Sequence, residues 1–173
     1  MKITALELIR FTYMSRQVRD AEGHGHPGPE HEAVGSITHI MTDAGAEGFA
    51  PGGAPPMLEV AREVLVGEDP FYRERIWQRL RQFQRILGPA LDDRYLGAMD
   101  CALWDLAGRA TGLPVYKLLG GYRDQVPAYA STMCGDDDPT GLGSPEAYAD
   151  FAQACVAQGY KAFKLHTWMA PFG

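Results

Sequence analysis

The stretch Ala98-Met-Asp-Cys-Ala-Leu-Trp-Asp-Leu-Ala-Gly-Arg-Ala-Thr-Gly-Leu-Pro-Val-Tyr-Lys-Leu-Leu-Gly-Gly121 decides how this 173-residue chain is read. Leu96, Met99, Leu103, Leu106 and Ala110 keep helical spacing, which predicts a helix from about 95 to 111, closed by Gly112 and Pro114. Ala98, Ala102, Ala107, Gly108 and Ala110 are small enough to let that helix lie close against a neighbour. Asp100 and Asp105 stand among apolar residues. Their carboxylates are therefore expected to bond backbone or an arginine rather than to react.

Upstream, Ile3, Ala5, Ile9 and Phe11 fall on one face of a strand over residues 2–11, interrupted by Glu7. Residues 15–35 look irregular. Within them, Ala21 to Glu30 holds three glycines and two prolines and reads as a mobile loop. A second strand is expected over 36–43, a hairpin return bracketed by Gly45 and Gly48, and a second loop over 49–56. Two helices precede the decisive one. The first covers 56–66, with Leu58, Ala61 and Leu65 on one face and Gly67 as its stop. The second starts at Asp69-Pro70 and buries Trp77, Leu80, Phe83 and Leu87.

Downstream the texture changes after Gly120-Gly121. A strand is expected over 126–132, then an acidic loop over 133–144. A helix follows from Ser144-Pro145 to about Gln158, and another strand over 161–168. Strand, helix and strand in this order form a βαβ unit, which implies parallel pairing with a right-handed crossover. The simplest domain boundary lies near 120–125.

Bulk properties narrow the function classes. A net charge of −6 and a pI near 5.3 argue against a nucleic-acid or anionic-membrane partner, since both need a basic face. No window approaches the roughly 18–20 apolar residues of a membrane helix, and the N-terminus lacks a secretory pattern. Cys101, Cys134 and Cys155 are too few and too scattered for a disulfide framework or a zinc motif, so reduced thiols in a cytoplasm are expected.

The element order and the quoted stretch resemble the enolase superfamily, of the mandelate racemase and muconate lactonizing enzyme type. The helix-to-barrel junction of that family commonly runs A-x-D-x-A-L-W-D-L-x-G-K-x-x-G-x-P-v-y-x-L-L-G-G, a match of about two dozen positions to residues 98–121. Gly159-Tyr-Lys-Ala-Phe-Lys-Leu-His166 is similar to the family's second barrel strand, which usually ends in Lys-x-Lys. The resemblance implies an α+β capping domain at 1–122, with a three-stranded antiparallel sheet plus helices. The first βαβ portion of a TIM-like (β/α) barrel would follow at 123–173. Trp104 is expected to plug a gap between cap and barrel.

On a strand, residues two apart share a face, so Lys164 and His166 point one way, Phe163 and Leu165 the other. An apolar face suits the outer helices, and a cation is best tolerated at the C-terminal mouth of a barrel. The resemblance implies that a substrate carboxylate binds Mg²⁺, that a base removes the proton on the adjacent carbon, and that metal and lysine stabilise the enediolate. Lys164 matches the first lysine of Lys-x-Lys, beside the substrate carboxylate. His166 stands where the second lysine acts as base. That is a departure from the pattern, though histidine titrates near pH ~6.5 when unperturbed and can serve as a base.

In the family the loops after the first and third strands close over the substrate and set specificity. Here they correspond to 15–33, with His24 and His26, and to 49–56, with Phe49 and Pro51. A metal cluster of His24, His26 and His31 lacks any supporting carboxylate–histidine helix spacing; a lid is the better reading. A barrel takes about 250 residues, and only 48 run from Val126 to Gly173. No metal ligand is therefore expected in this chain. The resemblance implies that the Mg²⁺ ligands and the opposing base come from later strands, so this segment alone is expected to be inactive.

The expected parent is an acid-sugar dehydratase or a racemase/epimerase, with dehydration favoured by analogy only. Its partners would be a small carboxylate or acid-sugar substrate and either further copies of itself, as a homo-oligomer, or the remaining barrel segment. The competing readings are a truncated, non-catalytic protein acting through partner binding and an unrelated α+β binding module.

Overall fold

The computed structural model describes residues 1–19, 21, 23, 25–87, 92–132 and 142–165. They fall into two compact units, Met1–Tyr13 with Val34–Tyr122, and Met14–Ala33 with Arg123–Gly173. Strands β1 (Ile3–Arg19), β2 (Gly25–Thr42) and β3 (Glu47–Pro51) form one antiparallel sheet in the order β1-β2-β3. β2 and β3 are in register from Ile37↔Pro51 to Met41↔Glu47. Helices α1 (Pro55–Leu65), α2 (Arg73–Leu87), α3 (Asp93–Thr111) and the short α4 (Val115–Leu118) follow. Then come β4 (Ala130–Ser131), α5 (Pro145–Ala157) and β5 (Phe163–Lys164).

The core of the first unit lies between sheet and helices. It combines Ile3, Leu6 and Ile40 with Met57, Leu65, Ile76 and Leu80, and with Leu96, Met99, Leu103 and Leu106 of α3. Each such side chain, fully buried, contributes about 1.5–3 kcal/mol. The small-residue argument for α3 finds its partner in β3. A Cβ at Gly48 would lie 2.1 Å from the Ala102 carbonyl oxygen and 2.6 Å from Leu106 Cβ, so strand and helix touch through bare backbone. Ala110 lies outside this contact and is exposed.

Helix ends obey local chemistry. The Asp92 side chain caps α3 by accepting from Arg94 N and Tyr95 N, and Gly112 closes that helix at φ 68°. Ser144 caps α5 through Ala147 N at 3.2 Å. Asp69 does not start α2. Its side chain accepts from Phe71 N and its carbonyl from Tyr72 N, both at 3.0 Å, so the Asp-Pro pair makes a turn and the helix begins at Arg73. Ile76 and Leu80 form the buried stripe of α2, with Trp77 and Phe83 packed partly against it. The Leu87 side chain lies outside the described residues.

Two sequence expectations are corrected. Residues 15–35 are mostly strand, not loop: β1 runs on to Arg19 and β2 starts at Gly25. The glycines that read as punctuation sit beneath cross-strand side chains. A Cβ at Gly28 would lie 2.8 Å from Val18 Cγ1, and one at Gly35 would lie 2.4 Å from Phe11 Cζ. Arg16 Nε also reaches Glu30 Oε2 at 3.2 Å across the hairpin. The second correction concerns the inward face of β1. Ile3 and Leu6 are buried and Leu8 partly so, whereas Ile9 and Phe11 are exposed, so strict alternation fails after Ile3. In the second unit, the strands expected over 126–132 and 161–168 are found as two-residue pairs, parallel as anticipated, with Ala130↔Phe163 and Ser131↔Lys164. Residues 133–141 and 166–173, including Cys134, lie outside the described residues. Among the described residues no helix is long and apolar enough to cross a membrane.

Replacing Gly48 with Ala should destabilise the first unit by about 3 kcal/mol in chemical denaturation, the upper part of the overpacking range, because both close atoms belong to a rigid helix. A second expectation concerns pH. Hydrogen bonding to the Arg94 side chain holds the Asp92 carboxyl below its ordinary value, with desolvation opposing. The cap's contribution is then complete above the unfolded carboxylate value of about 3.9 and is lost as pH falls through the lower folded value. Thermal midpoints of wild type and Asp92→Ala should differ near neutrality and converge in acid.

Candidate functional site

The βαβ portion positions the expected chemistry by strand alternation. Phe163 turns toward α5 and meets the Phe151 ring edge-on at 6.0 Å between centroids. Lys164, the last residue of β5, therefore presents its side chain to the opposite face and is exposed. Its carbonyl accepts from Thr132 N at 3.2 Å, which ties the ends of the two strands together. In-register neighbours in a parallel pair share a face, so Ser131 stands beside Lys164, its Oγ turned to the Thr132 carbonyl at 2.9 Å. Sequence reading missed Ser131, because its neighbour is more than thirty positions away and only the pairing register brings them together. At the other end of the strands, Pro127, Ala128, Gln158, Gly159, Tyr160 and Lys161 line an open recess of about 370 Å³. That separates Lys161 from the Lys164 end.

Of the other expected site residues, His166 and His24 lie outside the described residues, as does the His26 side chain. Phe49 and Pro51 belong to β3 rather than to a loop. Pro51 is exposed, but Phe49 is half-buried in a column of rings and charges. On one side its ring stacks on His39, 4.4 Å between centroids at 12°. The Arg109 guanidinium carbon stands 5.1 Å from the same ring. Its backbone N–H donates to Asp105 Oδ2 at 2.9 Å, and the same oxygen accepts from Arg109 Nε at 2.7 Å. His39 is buried between Glu7 at 3.7 Å and Glu47 at 3.5 Å, contacts too long for hydrogen bonds.

The two junction aspartates behave as expected for structural groups. Asp105 serves the backbone and an arginine, and Asp100 faces Arg73 Nε at 3.6 Å. The Arg73 guanidinium also lies 3.1 Å over the Trp104 ring, so this tryptophan carries a cation from α2. Burial lowers the Arg73 pKa from its usual value, and Asp100 pulls it back. Among the described residues no group of three His, Cys, Asp or Glu side chains could hold a metal ion. The described residues do not form a Mg²⁺ cage.

Asp105→Ala leaves the partly buried Phe49 N–H without its acceptor. The expected loss is about 1–3 kcal/mol in denaturant titration, mostly from the stranded amide, because the exposed Arg109 pair contributes little. Asp105→Asn, which keeps an acceptor oxygen, should lose less.

Comparison with known proteins now bears on the whole chain. Residues 30–120 match the family described as Mandelate racemase / muconate lactonizing enzyme, N-terminal domain. A D-galactonate dehydratase of Variovorax paradoxus (strain S110) is 34% identical over 138 residues, which are 73% of this chain and 33% of that protein. A cis-3-hydroxy-L-proline dehydratase of Roseibium aggregatum is 29% identical, covering 95% of this chain and 45% of its own. Among solved structures, D-glucarate dehydratase from Agrobacterium tumefaciens complexed with magnesium superimposes with a TM-score of 0.83 at 48% identity, over 99% of this chain and 46% of that one. The chain thus spans less than half the length of these relatives. With its three-stranded cap, its junction helix and its parallel β4–β5 pair, it belongs to the mandelate racemase and muconate lactonizing enzyme family of the enolase superfamily.

Proposed function

We propose that this segment is the cap and first barrel strands of a Mg²⁺-dependent acid-sugar dehydratase. The observation that carries the reading is Lys164 at the C-terminal end of β5, on the face opposite the helix-packed Phe163. Barrel enzymes place their chemistry at that end of their strands. The similarity to dehydratases of galactonate and glucarate favours dehydration of an acid sugar over racemisation or epimerisation.

Lys164 would lie against the substrate carboxylate as a point charge with three donors, lowering the energy of negative charge that develops as the adjacent carbon loses its proton. His166 would take that proton. The magnesium ion would supply Lewis-acid polarisation of the carboxylate. No cage for it exists among the described residues; on this reading its ligands would come from further barrel strands, as the family resemblance implies.

The test is turnover of a panel of aldonates and aldarates with Mg²⁺ by a full-length polypeptide carrying this segment, followed by loss of the carbonyl product signal in variants. Lys164→Ala should lower kcat by about 10²–10³-fold, the loss typical of one donor aimed at developing charge. The 173-residue chain alone should show no turnover. Turnover by that chain, or an unaffected Lys164→Ala enzyme, would remove the basis of this assignment.

A further inference from the structure

The segment Phe49-Ala-Pro-Gly-Gly-Ala-Pro-Pro56 reads as a loop in the sequence, yet it is held along its length. The Phe49 N–H is taken by Asp105 at 2.9 Å. Gly52 N donates to the Ser36 carbonyl at 2.8 Å, continuing the sheet's pairing one step past β3. Two hydroxyls of β2 then reach across. Thr38 Oγ1 donates to the Gly52 carbonyl at 2.9 Å and Ser36 Oγ to the Gly53 carbonyl at 3.1 Å. Thr38 is fully buried, so its hydroxyl has little access to water as an alternative partner.

Backbone conformation favours glycine at both positions, and space also excludes a side chain at Gly53. Gly52 and Gly53 have φ of 98° and 117°, a region that side-chain-bearing residues rarely enter. A Cβ on Gly53 would lie 2.6 Å from Thr38 Oγ1 and 2.7 Å from Leu8 Cδ1. On the far side, Pro55 starts α1 at its first position and Pro56 follows, both with φ set by the ring. A strand, two carbonyl clamps and two prolines leave little backbone freedom.

We infer that Ser36 and Thr38 are positioning residues that hold 49–56 as a fixed wall rather than a moving lid. That the wall faces substrate rests on the family reading given above; its rigidity rests only on these contacts. A preformed wall selects substrate by shape, because the ordering entropy that a closing loop would lose on binding has already been lost in folding. Specificity contributed by this segment should then be insensitive to lid dynamics and sensitive to the hydroxyls of β2.

Amide hydrogen exchange of the 173-residue chain, followed by NMR, tests this without any activity. The Gly52 amide should be protected like those of β3. Thr38→Val, which keeps the side-chain shape, should speed exchange at the Gly52 amide, which donates to the Ser36 carbonyl, by about fivefold to tenfold relative to Ile40, the change one lost hydrogen bond produces. Thr38→Ser, which keeps the hydroxyl, should stay near wild type. An unprotected Gly52 amide in the wild type would overturn the fixed wall. So would equal acceleration in both variants, or in neither, since the hydroxyl would then not be the clamp. None of these outcomes bears on Lys164 or on the acid-sugar reading.

Discussion

The close approach of β3 to α3 is the contact on which the rest of the cap depends. At Gly48 the strand lies against the Ala102 carbonyl and the Leu106 backbone with no side chain between them. That intimacy lets Asp105, one turn along from Ala102, reach the Phe49 amide directly. It also brings Leu96, Met99, Leu103 and Leu106 onto the same sheet face as Ile3, Leu6 and Ile40. A helix of larger residues would stand off the sheet, and the Asp105 bond and the ring column around Phe49 would both be lost.

The same helix runs on to Gly112 and the α4 turn. Its polar groups serve packing rather than reaction. Asp100 and Trp104 share Arg73, which binds α2 to α3, while Asp105 and Arg109 bracket Phe49. The strong motif in this chain is thus a piece of architecture. The proposed chemistry lies apart from it, at the end of β5, where a lysine emerges on the face opposite Phe163, which packs against α5.

Much of this was legible in the sequence because it follows from local rules. Helix spacing located α1 and α3, the Ser144 and Gly112 ends followed capping chemistry, and the alternation of Phe163 and Lys164 set their two faces. The Asp69-Pro70 pair misled for a related reason. Its local chemistry suits a turn as well as a helix start, and only the packed chain chose.

The tertiary structure alone decided what depends on partners distant in sequence. Gly28 and Gly35 read as loop residues until Val18 and Phe11 are seen lying over them, which makes a hairpin of residues 15–35. Ser131 acquires Lys164 as a neighbour only through the parallel register. Gly52 and Gly53 look like freedom and are held fast by the hydroxyls of Ser36 and Thr38. Local spacing and capping residues determined which elements could form, since those depend on short-range sterics and hydrogen bonding, and the motif at 98–121 carried the family resemblance. Which glycines are hinges and which are contacts depends on what lies across from them, a property of the packed chain.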